Sequence, residues 1–258
     1  MSSQPVSGGG ERAPPRRTGA VVSPVDPPVA APEALGFRDR HDAGRRLAAL
    51  LMQLRPERPV VLGIPRGGVP VAAEVARALG APLDVTVVRK IGAPQNPEYA
   101  IGAVAEGGVH VLSEEAARAL GLGEAQRATL VARGEEELRA RLRRYRGARP
   151  PLAVAGRTAI VVDDGLATGR TALAAVRSVR RRGAARVVLA APVCARRPAQ
   201  QLSDEADEVA CVELPSDLWA VGYWYADFTP TSDEEVAALL SADVTSGDVA
   251  AGDETPGQ

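Results

Sequence analysis

The segment Ala159 to Ala172, AIVVDDGLATGRTA, constrains the fold of this 258-residue chain more than any other stretch. Its β-branched run, Ile160 to Val162, is typical of a strand that is buried on both faces of a parallel sheet. Helical periodicity begins at Thr171, so the short loop between strand and helix opens a helix. The segment therefore predicts a βα unit of an α/β protein, with this loop at the carboxyl end of a parallel strand.

The loop has the features of a phosphate site. Parallel sheets bind ligands beyond their strand ends, and a helix amino terminus presents unpaired N–H groups to an anion. The two preceding acids, Asp163 and Asp164, would repel phosphate but suit a pair of vicinal hydroxyls, such as those of a ribose. The predicted ligand is therefore a ribose 5-phosphate. The residues predicted to hold its phosphate are Gly165, Ala167, Thr168, Gly169, Arg170 and Thr171.

Two simpler interpretations of the segment stay open. A Walker loop needs four residues between its glycines and a lysine before the last hydroxyl, whereas three residues separate Gly165 from Gly169 and Arg170 takes the lysine position. An ordinary strand, turn and helix connection would leave two adjacent acids at the end of a buried strand. That arrangement is costly unless a ligand binds them.

The same residues resemble the phosphoribosyl diphosphate (PRPP) signature of type I phosphoribosyltransferases, which is a hydrophobic strand, two acids and a loop ending in Thr-Gly-x-Thr. The resemblance implies a Rossmann-like parallel sheet with helices on both faces and a small carboxyl-terminal hood. It also implies PRPP and a small nitrogenous base as ligands, with Mg²⁺ as cofactor. Asp163 and Asp164 are then catalytic, and they are candidates to contact the metal through water rather than as certain direct ligands.

A second segment follows the order of that family. After the predicted strand Val60 to Ile64, the loop contains Arg66, Gly67 and Gly68, whose guanidinium and exposed N–H groups suit a diphosphate. Taken alone, this stretch is equally an ordinary strand–helix turn. In several family members the loop contains a non-proline cis peptide, so the resemblance implies a cis bond within residues 64–68.

The strand that follows is predicted to deliver Arg89 and Lys90 to its carboxyl end as diphosphate ligands. Lys90 is the only lysine in the chain, which favours a catalytic role for a compact, movable ammonium over a solvated strand-end charge. The turn-rich loop 92–99 is predicted to act as a lid. Glu98 is its catalytic candidate, and the tip of a β-hairpin is the alternative.

The aromatic-rich segment 214–240 is predicted to form the hood. Its order, with Trp219-Ala-Val-Gly-Tyr before Asp227, is similar to the purine hood of hypoxanthine-guanine phosphoribosyltransferases, although its spacing from the preceding strand differs. By that resemblance Trp219 stacks on the base, the backbone of Ala220 and Val221 reads the base edge, and Asp227 lies nearby. A purine is only weakly favoured, and a hydrophobic lid or oligomer contact is the alternative.

Composition indicates which of the remaining segments of the chain are ordered. Residues 1–34 and the acidic stretch 242–258 are predicted to be disordered, which leaves a domain at 35–241 with a helical insert at 113–147. The insert is expected to be a solvated helix or a homodimer contact.

A net charge of −1 argues against a nucleic-acid partner, and no apolar run is long enough for a membrane span. Cys194 and Cys211 are predicted to be free, buried thiols in a reducing cytoplasm.

Taken together, the resemblance implies a phosphoribosyltransferase that moves ribose 5-phosphate from PRPP to a nitrogenous base and releases diphosphate, as in nucleotide salvage. Two alternatives stay open. One is a non-catalytic regulator that senses PRPP without turning it over, because this fold also serves as a ligand switch. The other is a phosphoribosyl hydrolase with water as the acceptor. The sequence does not identify the acceptor.

Overall fold

A six-stranded parallel sheet forms the centre of the computed structural model, which describes residues 20–22 and 36–248, except for the side chains at 97, 98 and 243–248. From one edge to the other the strand order is β1-β9-β8-β7-β2-β3, and every neighbouring pair is parallel. This sheet confirms the predicted α/β class. The strands are β1 (Ala20–Val22), β2 (Val60–Gly63), β3 (Leu83–Val85), β7 (Thr158–Val162), β8 (Arg186–Val193) and β9 (Glu208–Glu213).

Helices cover both faces of this sheet, as predicted. Alternate residues of β7 enter different apolar clusters: Ile160 and Val162 pack on the face of the first two helices, and Val161 packs on the other face. This burial on both sides explains why the strand is apolar without alternation. The helices are α1 (Arg40–Leu51) and α2 (Gly68–Leu79) on the first face, α5 (Arg170–Arg181) and α6 (Arg196–Leu202) on the second, and α7 (Asp233–Asp248) near the carboxyl end.

A second, antiparallel sheet carries the segment that follows β3. Its strands are β4 (Val88–Ala93), β5 (Asn96–Ala105) and β6 (Val109–Leu112). The prediction that Arg89 and Lys90 end a strand of the main sheet is therefore wrong. The chain leaves the main sheet after Val85, and both basic residues lie inside β4, opposite Val104 and Ala103 of β5. The stretch 92–99 forms the tip of the β4–β5 hairpin, with a two-residue turn at 94–95 between the strands, which is the hairpin alternative.

The helical insert consists of α3 (Glu114–Ala119) and α4 (Glu124–Arg146), inside the predicted bounds. At its carboxyl end a buried arginine, Arg146, ties α4 to both sheets. Its Nε donates to Asp84 of β3 at 2.8 Å, and its Nη1 donates to the Glu106 carboxylate, just after β5, at 2.7 Å. Among the described residues no helix is both long and apolar enough to cross a membrane.

Both predicted disordered ends differ from the structure where it describes them. Residues Ala20–Val22 form the edge strand β1, which pairs with Glu208–Ala210. This three-residue apolar stretch was too short to stand out from its Pro- and Gly-rich surroundings. At the other end α7 continues to Asp248, beyond the predicted limit at 241. The remainder of both segments lies outside the described residues, so those boundaries stay predictions.

The prediction of two free cysteines is also wrong. Cys194, which follows β8, and Cys211, in β9, are both fully buried and form a disulfide, with their Cα atoms 6.1 Å apart. The two strands are parallel neighbours, with Ala191 opposite Cys211. Only this register brings the two thiols together, and sequence spacing does not reveal it.

Candidate active site

The acid pair lies where the sequence predicts it, directly after β7. Asp163 and Asp164 are both half-buried, and an Asp163 oxygen, Oδ1, accepts a 2.9 Å hydrogen bond from the Asp164 N–H. Burial raises the pKa of the Asp163 carboxyl, and the adjacent Asp164 charge raises it further. Burial also raises the pKa of Asp164, although the charge of a nearby arginine, Arg40, opposes this. The pair is therefore poised to accept hydrogen bonds from hydroxyl groups or to face a positive charge.

The predicted phosphate loop opens α5. Gly169 takes a left-handed conformation with φ of +68° immediately before the helix, which favours glycine at this position. Upstream, Leu166 is anchored to the end of β8, because its N–H donates to the Val193 carbonyl at 2.8 Å. The loop is thus fixed at both ends. The unpaired N–H groups of the first turn of α5 are available to an anion.

The glycine-rich loop after β2 packs directly onto the acid pair. It contains a cis peptide between Pro65 and Arg66, within the stretch where the family resemblance implies one. A Cβ atom at Gly67 would overlap the Asp164 carboxylate, and one at Gly68 would lie 2.6 Å from the Val162 carbonyl oxygen. Only glycine fits at both positions. The side chain of Arg66 is exposed, so it is free to meet a ligand held between the two loops.

An open cavity of about 670 Å³ separates the phosphate loop from the β4–β5 hairpin. Lys90 lines it from β4, together with Thr168, Arg170 and Thr171 from the phosphate loop and α5. Four predicted ligand residues therefore share one space. Arg89 does not join them, since its Nε donates to the Glu137 carboxylate of α4 at 2.7 Å. The side chain at position 98 is outside the described residues, so the role of Glu98 stays a prediction.

The predicted hood residues are only partly brought to the site. Val221 packs against the phosphate loop, because a Cβ atom at Gly165 would lie 2.5 Å from its Cγ1. Trp219 is 92% exposed, and Ala220 is exposed beside it. Asp227 closes a local turn by accepting hydrogen bonds from the Thr229 hydroxyl at 2.6 Å and N–H at 2.9 Å. These two bonds lower the pKa of the Asp227 carboxyl.

Two residues that the sequence did not indicate contact the acid pair. The Nε and Nη2 atoms of Arg40 each lie 2.9 Å from Oδ2 of Asp164, and the Tyr225 hydroxyl donates to the Asp164 carbonyl at 2.7 Å. Arg40 is the first residue of α1, and its sequence context does not distinguish it from other arginines at the start of amphipathic helices. Tyr225 belongs to the aromatic segment that is predicted to form the hood. Its hydrogen bond to Asp164 depends on tertiary packing, so the sequence does not reveal it.

The acid pair also fits the expected cofactor. Mg²⁺ prefers oxygen ligands, keeps several waters, and is usually held by one or two carboxylates together with substrate phosphates. Asp163 and Asp164 provide such carboxylates next to a predicted phosphate site. Within the described part of the chain no group of three His, Cys, Asp or Glu residues forms a metal cage. Two carboxylates beside a predicted phosphate site are the kind of donor set that suits a metal shared with a phosphorylated ligand.

Comparisons with known proteins identify relatives of this chain. Two Mycobacterium tuberculosis proteins, "Putative phosphoribosyl transferase MT0597" of strain CDC 1551 / Oshkosh and "Putative phosphoribosyl transferase Rv0571c" of strain ATCC 25618 / H37Rv, are 48% identical over 204 residues. That match covers 79% of this chain but 46% of each relative, so the chain spans about half of their length.

A solved structure and a family model extend the comparison. The crystal structure of TT1426 from Thermus thermophilus is 48% identical, with a TM-score of 0.69 over 80% of this chain and 97% of that protein. Residues 38–227 match the family model described as the phosphoribosyl transferase domain. This match includes the phosphate loop, the acid pair and the glycine-rich loop. The chain belongs to the phosphoribosyl transferase domain family.

Proposed function

We propose that this chain is a phosphoribosyltransferase that moves ribose 5-phosphate from PRPP to a nitrogenous base and releases diphosphate. One observation carries the proposal: the loop of Gly67 and Gly68 packs onto Asp163 and Asp164, which directly precede the phosphate loop. Two anion-binding loops therefore flank one acid pair. This order matches the order of groups in PRPP, where ribose hydroxyls lie between a 5-phosphate and a diphosphate.

Each group of PRPP receives a partner in this arrangement. Asp163 and Asp164 accept hydrogen bonds from the ribose hydroxyls, and the N–H groups and hydroxyls of residues 167–171 hold the 5-phosphate. Arg66 and the loop glycines hold the diphosphate, and Lys90 approaches it from the hairpin. Arg89 is left out because its guanidinium is already paired with Glu137.

Catalysis in this site is mainly positioning and charge stabilisation. As the bond between C1 of ribose and the diphosphate lengthens, the sugar gains oxocarbenium character and the leaving group gains negative charge. Half-buried carboxylates favour the first change, and the cations Arg66 and Lys90 favour the second. Mg²⁺, held through water by Asp163 and Asp164, would neutralise part of the diphosphate charge.

The hood is the proposed acceptor site. Trp219 presents an exposed ring, and the packing of Val221 on Gly165 keeps this segment beside the phosphate loop. A nitrogenous base that stacks on Trp219 would meet the backbone of Ala220 and Val221 at its edge. A purine is weakly favoured as the acceptor, by the similarity of the hood to that of purine enzymes. This acceptor would place the reaction in nucleotide salvage, and a cytoplasmic location stays a prediction.

The test is a measurement of diphosphate release from PRPP and Mg²⁺ with a panel of purines and pyrimidines, beside a no-base control. The comparison variants are D163A/D164A, which removes the acid pair, and E135A/E136A, which removes adjacent acids on α4. Base-dependent release that disappears only in D163A/D164A supports the transferase and identifies its acceptor. Release without base indicates a hydrolase, and PRPP binding without any release indicates a sensor.

A further inference from the structure

Arg40 lies at the junction of the acid pair, the glycine-rich loop and the hood. We propose that Arg40 is a positioning residue that couples occupancy of the ribose site to the position of the hood. Its one guanidinium binds both the Asp164 carboxylate and the backbone of the hood. This inference rests on the proposed function, because it takes PRPP as the ligand of the acid pair. It assigns a role to a residue outside both signature loops.

On the ligand side, the guanidinium uses two nitrogens on one oxygen. Nε and Nη2 both lie 2.9 Å from Oδ2 of Asp164, so the other carboxylate oxygen is left for a ribose hydroxyl. The Arg40 side chain is only 10% exposed, which keeps water from weakening this ion pair. A Cβ atom at Gly67 would lie 3.1 Å from Arg40 Nε, so the glycine-rich loop meets the same junction.

On the hood side, the same guanidinium makes two further contacts. Nη1 donates to the Thr229 carbonyl at 2.8 Å, and the guanidinium carbon lies 4.0 Å from the centre of the Phe228 ring. Phe228 in turn supports the turn that follows Trp219, because a Cβ atom at Gly222 would lie 3.0 Å from its Cδ1. A continuous set of contacts therefore runs from Asp164 to the proposed base-stacking segment.

The chemistry of arginine suits this double role. A planar guanidinium presents donors in a fixed fork and stacks on aromatic rings, whereas a lysine ammonium is a single point charge. When a ribose engages Asp164, any shift of this carboxylate moves its partner Arg40, and with it Thr229 and Phe228. Both tryptophans of the chain, Trp219 and Trp224, lie within this segment. Intrinsic fluorescence therefore reports directly on the hood.

The experiment titrates PRPP with Mg²⁺ into the wild type and into R40M, R40K and R45M, and follows tryptophan fluorescence. Calorimetry measures PRPP binding on the same samples. R45M is the matched control, since Arg45 lies on the same helix, is 49% exposed and makes only a 3.6 Å pair with Asp42. We expect the wild type and R45M to show the same fluorescence change on saturation.

R40M is expected to bind PRPP about 10- to 100-fold more weakly, because a hydrogen bond to a charged group is lost. At saturating PRPP it should also lose most of the fluorescence change, which a purely structural loss of affinity would not abolish. R40K should recover part of the affinity but little of the fluorescence change, because an ammonium cannot replace the fork and the ring contact. A wild-type fluorescence change in R40M at saturation would overturn the coupling.

A second variant keeps the test decisive if R40M does not fold. F228L retains the guanidinium and its ion pair but removes the ring, so PRPP binding should persist with a smaller fluorescence change. A full-sized change in F228L overturns the inference. Wild-type PRPP binding with no fluorescence change overturns it as well, while the proposed function stands. Absence of any PRPP binding by the wild type overturns the proposed function, and this inference with it.

Discussion

The phenolic hydroxyl of Tyr225 donates a 2.7 Å hydrogen bond to the backbone carbonyl of Asp164. The ring is 7% exposed and packs between Phe37 and Phe228, with ring centres 5.4 Å and 5.0 Å away. Burial raises the pKa of the Tyr225 hydroxyl, so it remains a donor throughout the neutral range. A residue of the proposed hood thus fixes the backbone of Asp164, a proposed ribose-binding acid.

Replacing Tyr225 with phenylalanine should separate this hydrogen bond from the packing of the ring. We expect Y225F to lower the free energy of unfolding by about 0.5–1.5 kcal/mol and to weaken PRPP binding several-fold, because the Asp164 carbonyl loses its donor. Urea denaturation and calorimetry measure the two effects. Y223F is the control, since Tyr223 is 84% exposed, and an equal loss in Y223F would contradict the assignment.

Gly67 tests how closely the two loops must approach each other. Its φ of −61° is available to alanine, so G67A adds no backbone strain. The added methyl group instead overlaps the Asp164 carboxylate. We expect G67A to keep its circular dichroism spectrum but to bind PRPP at least about ten-fold more weakly, because overpacking of this size costs about 1–3 kcal/mol.

The control for G67A is G123A at the start of α4. A Cβ atom at Gly123 meets nothing closer than 3.8 Å, and its φ is also negative, at −69°. G123A should therefore bind PRPP like the wild type. Undiminished PRPP binding by G67A would show that the loops separate readily, which is contrary to the proposed site.

The acid pair should make ligand-free stability depend on pH. Burial, and then the Asp164 charge, raise the pKa of Asp163 above its ordinary value of 3.8. Between the ordinary and the raised pKa the unfolded chain releases this proton while the folded chain keeps it, so stability falls as the pH rises. Asparagine does not titrate. As the pH increases from about 4 towards neutrality, the free energy of unfolding of D163N should therefore rise relative to that of the wild type.

Asp42 provides a control of opposite sign when urea unfolding is measured from neutral pH down to below about pH 4. Burial opposes ionisation there, but the backbone bond from Arg38 and the charge of Arg46 outweigh it and lower the Asp42 pKa. Its stabilising effect is present above the unfolded pKa and is lost as the pH falls. D42N should thus lie below the wild type by a constant amount between about pH 4 and neutrality, and the two should converge as the pH falls below about 4. Parallel curves for D163N and the wild type would contradict the raised pKa.

Local sequence patterns predicted those parts of the fold that depend on neighbours along the chain. The segment 159–172 reads as strand, acids, loop and helix because burial on both faces and the start of a helix leave local signatures. The helical insert predicted at 113–147 also begins at a local signature, since the Ser113 hydroxyl accepts from the Ala116 N–H at the start of α3. Contacts between distant segments leave no such pattern.

The features that the sequence missed all depend on register or on long-range packing. Arg40 and Asp164 are 124 residues apart, and nothing local distinguishes Arg40. Cys194 and Cys211 meet only because β8 and β9 are parallel neighbours in one register. Arg89 and Lys90 are consecutive, so a strand points them to opposite faces, and of these two residues Lys90 alone lines the cavity.

Arg146 should be the most sensitive anchor of the helical insert. Its side chain is 7% exposed and pairs with the equally buried carboxylates of Asp84 and Glu106. R146M would leave both charges buried without their cation, so we expect a loss of about 3–5 kcal/mol in the free energy of unfolding. R143M, on the exposed side of α4, should lie within about 0.5 kcal/mol of the wild type by the same denaturation assay. Similar free energies of unfolding for R146M and R143M would contradict the anchoring role of Arg146.

Lys90 tests whether the hairpin contributes to the active site. Its side chain is exposed, and it lines the cavity that Thr168, Arg170 and Thr171 border from the opposite side. We expect K90M to lower kcat/KM for PRPP by about 10- to 100-fold with little change in stability, because a charge-assisted contact to diphosphate is lost. K90R should restore part of the rate, since it returns the charge with a different shape. H110Q, at an exposed position on strand β6 of the same antiparallel sheet, is the control and should retain the wild-type rate. Equal rates for K90M and H110Q would place the diphosphate away from the hairpin and leave its binding to the glycine-rich loop alone.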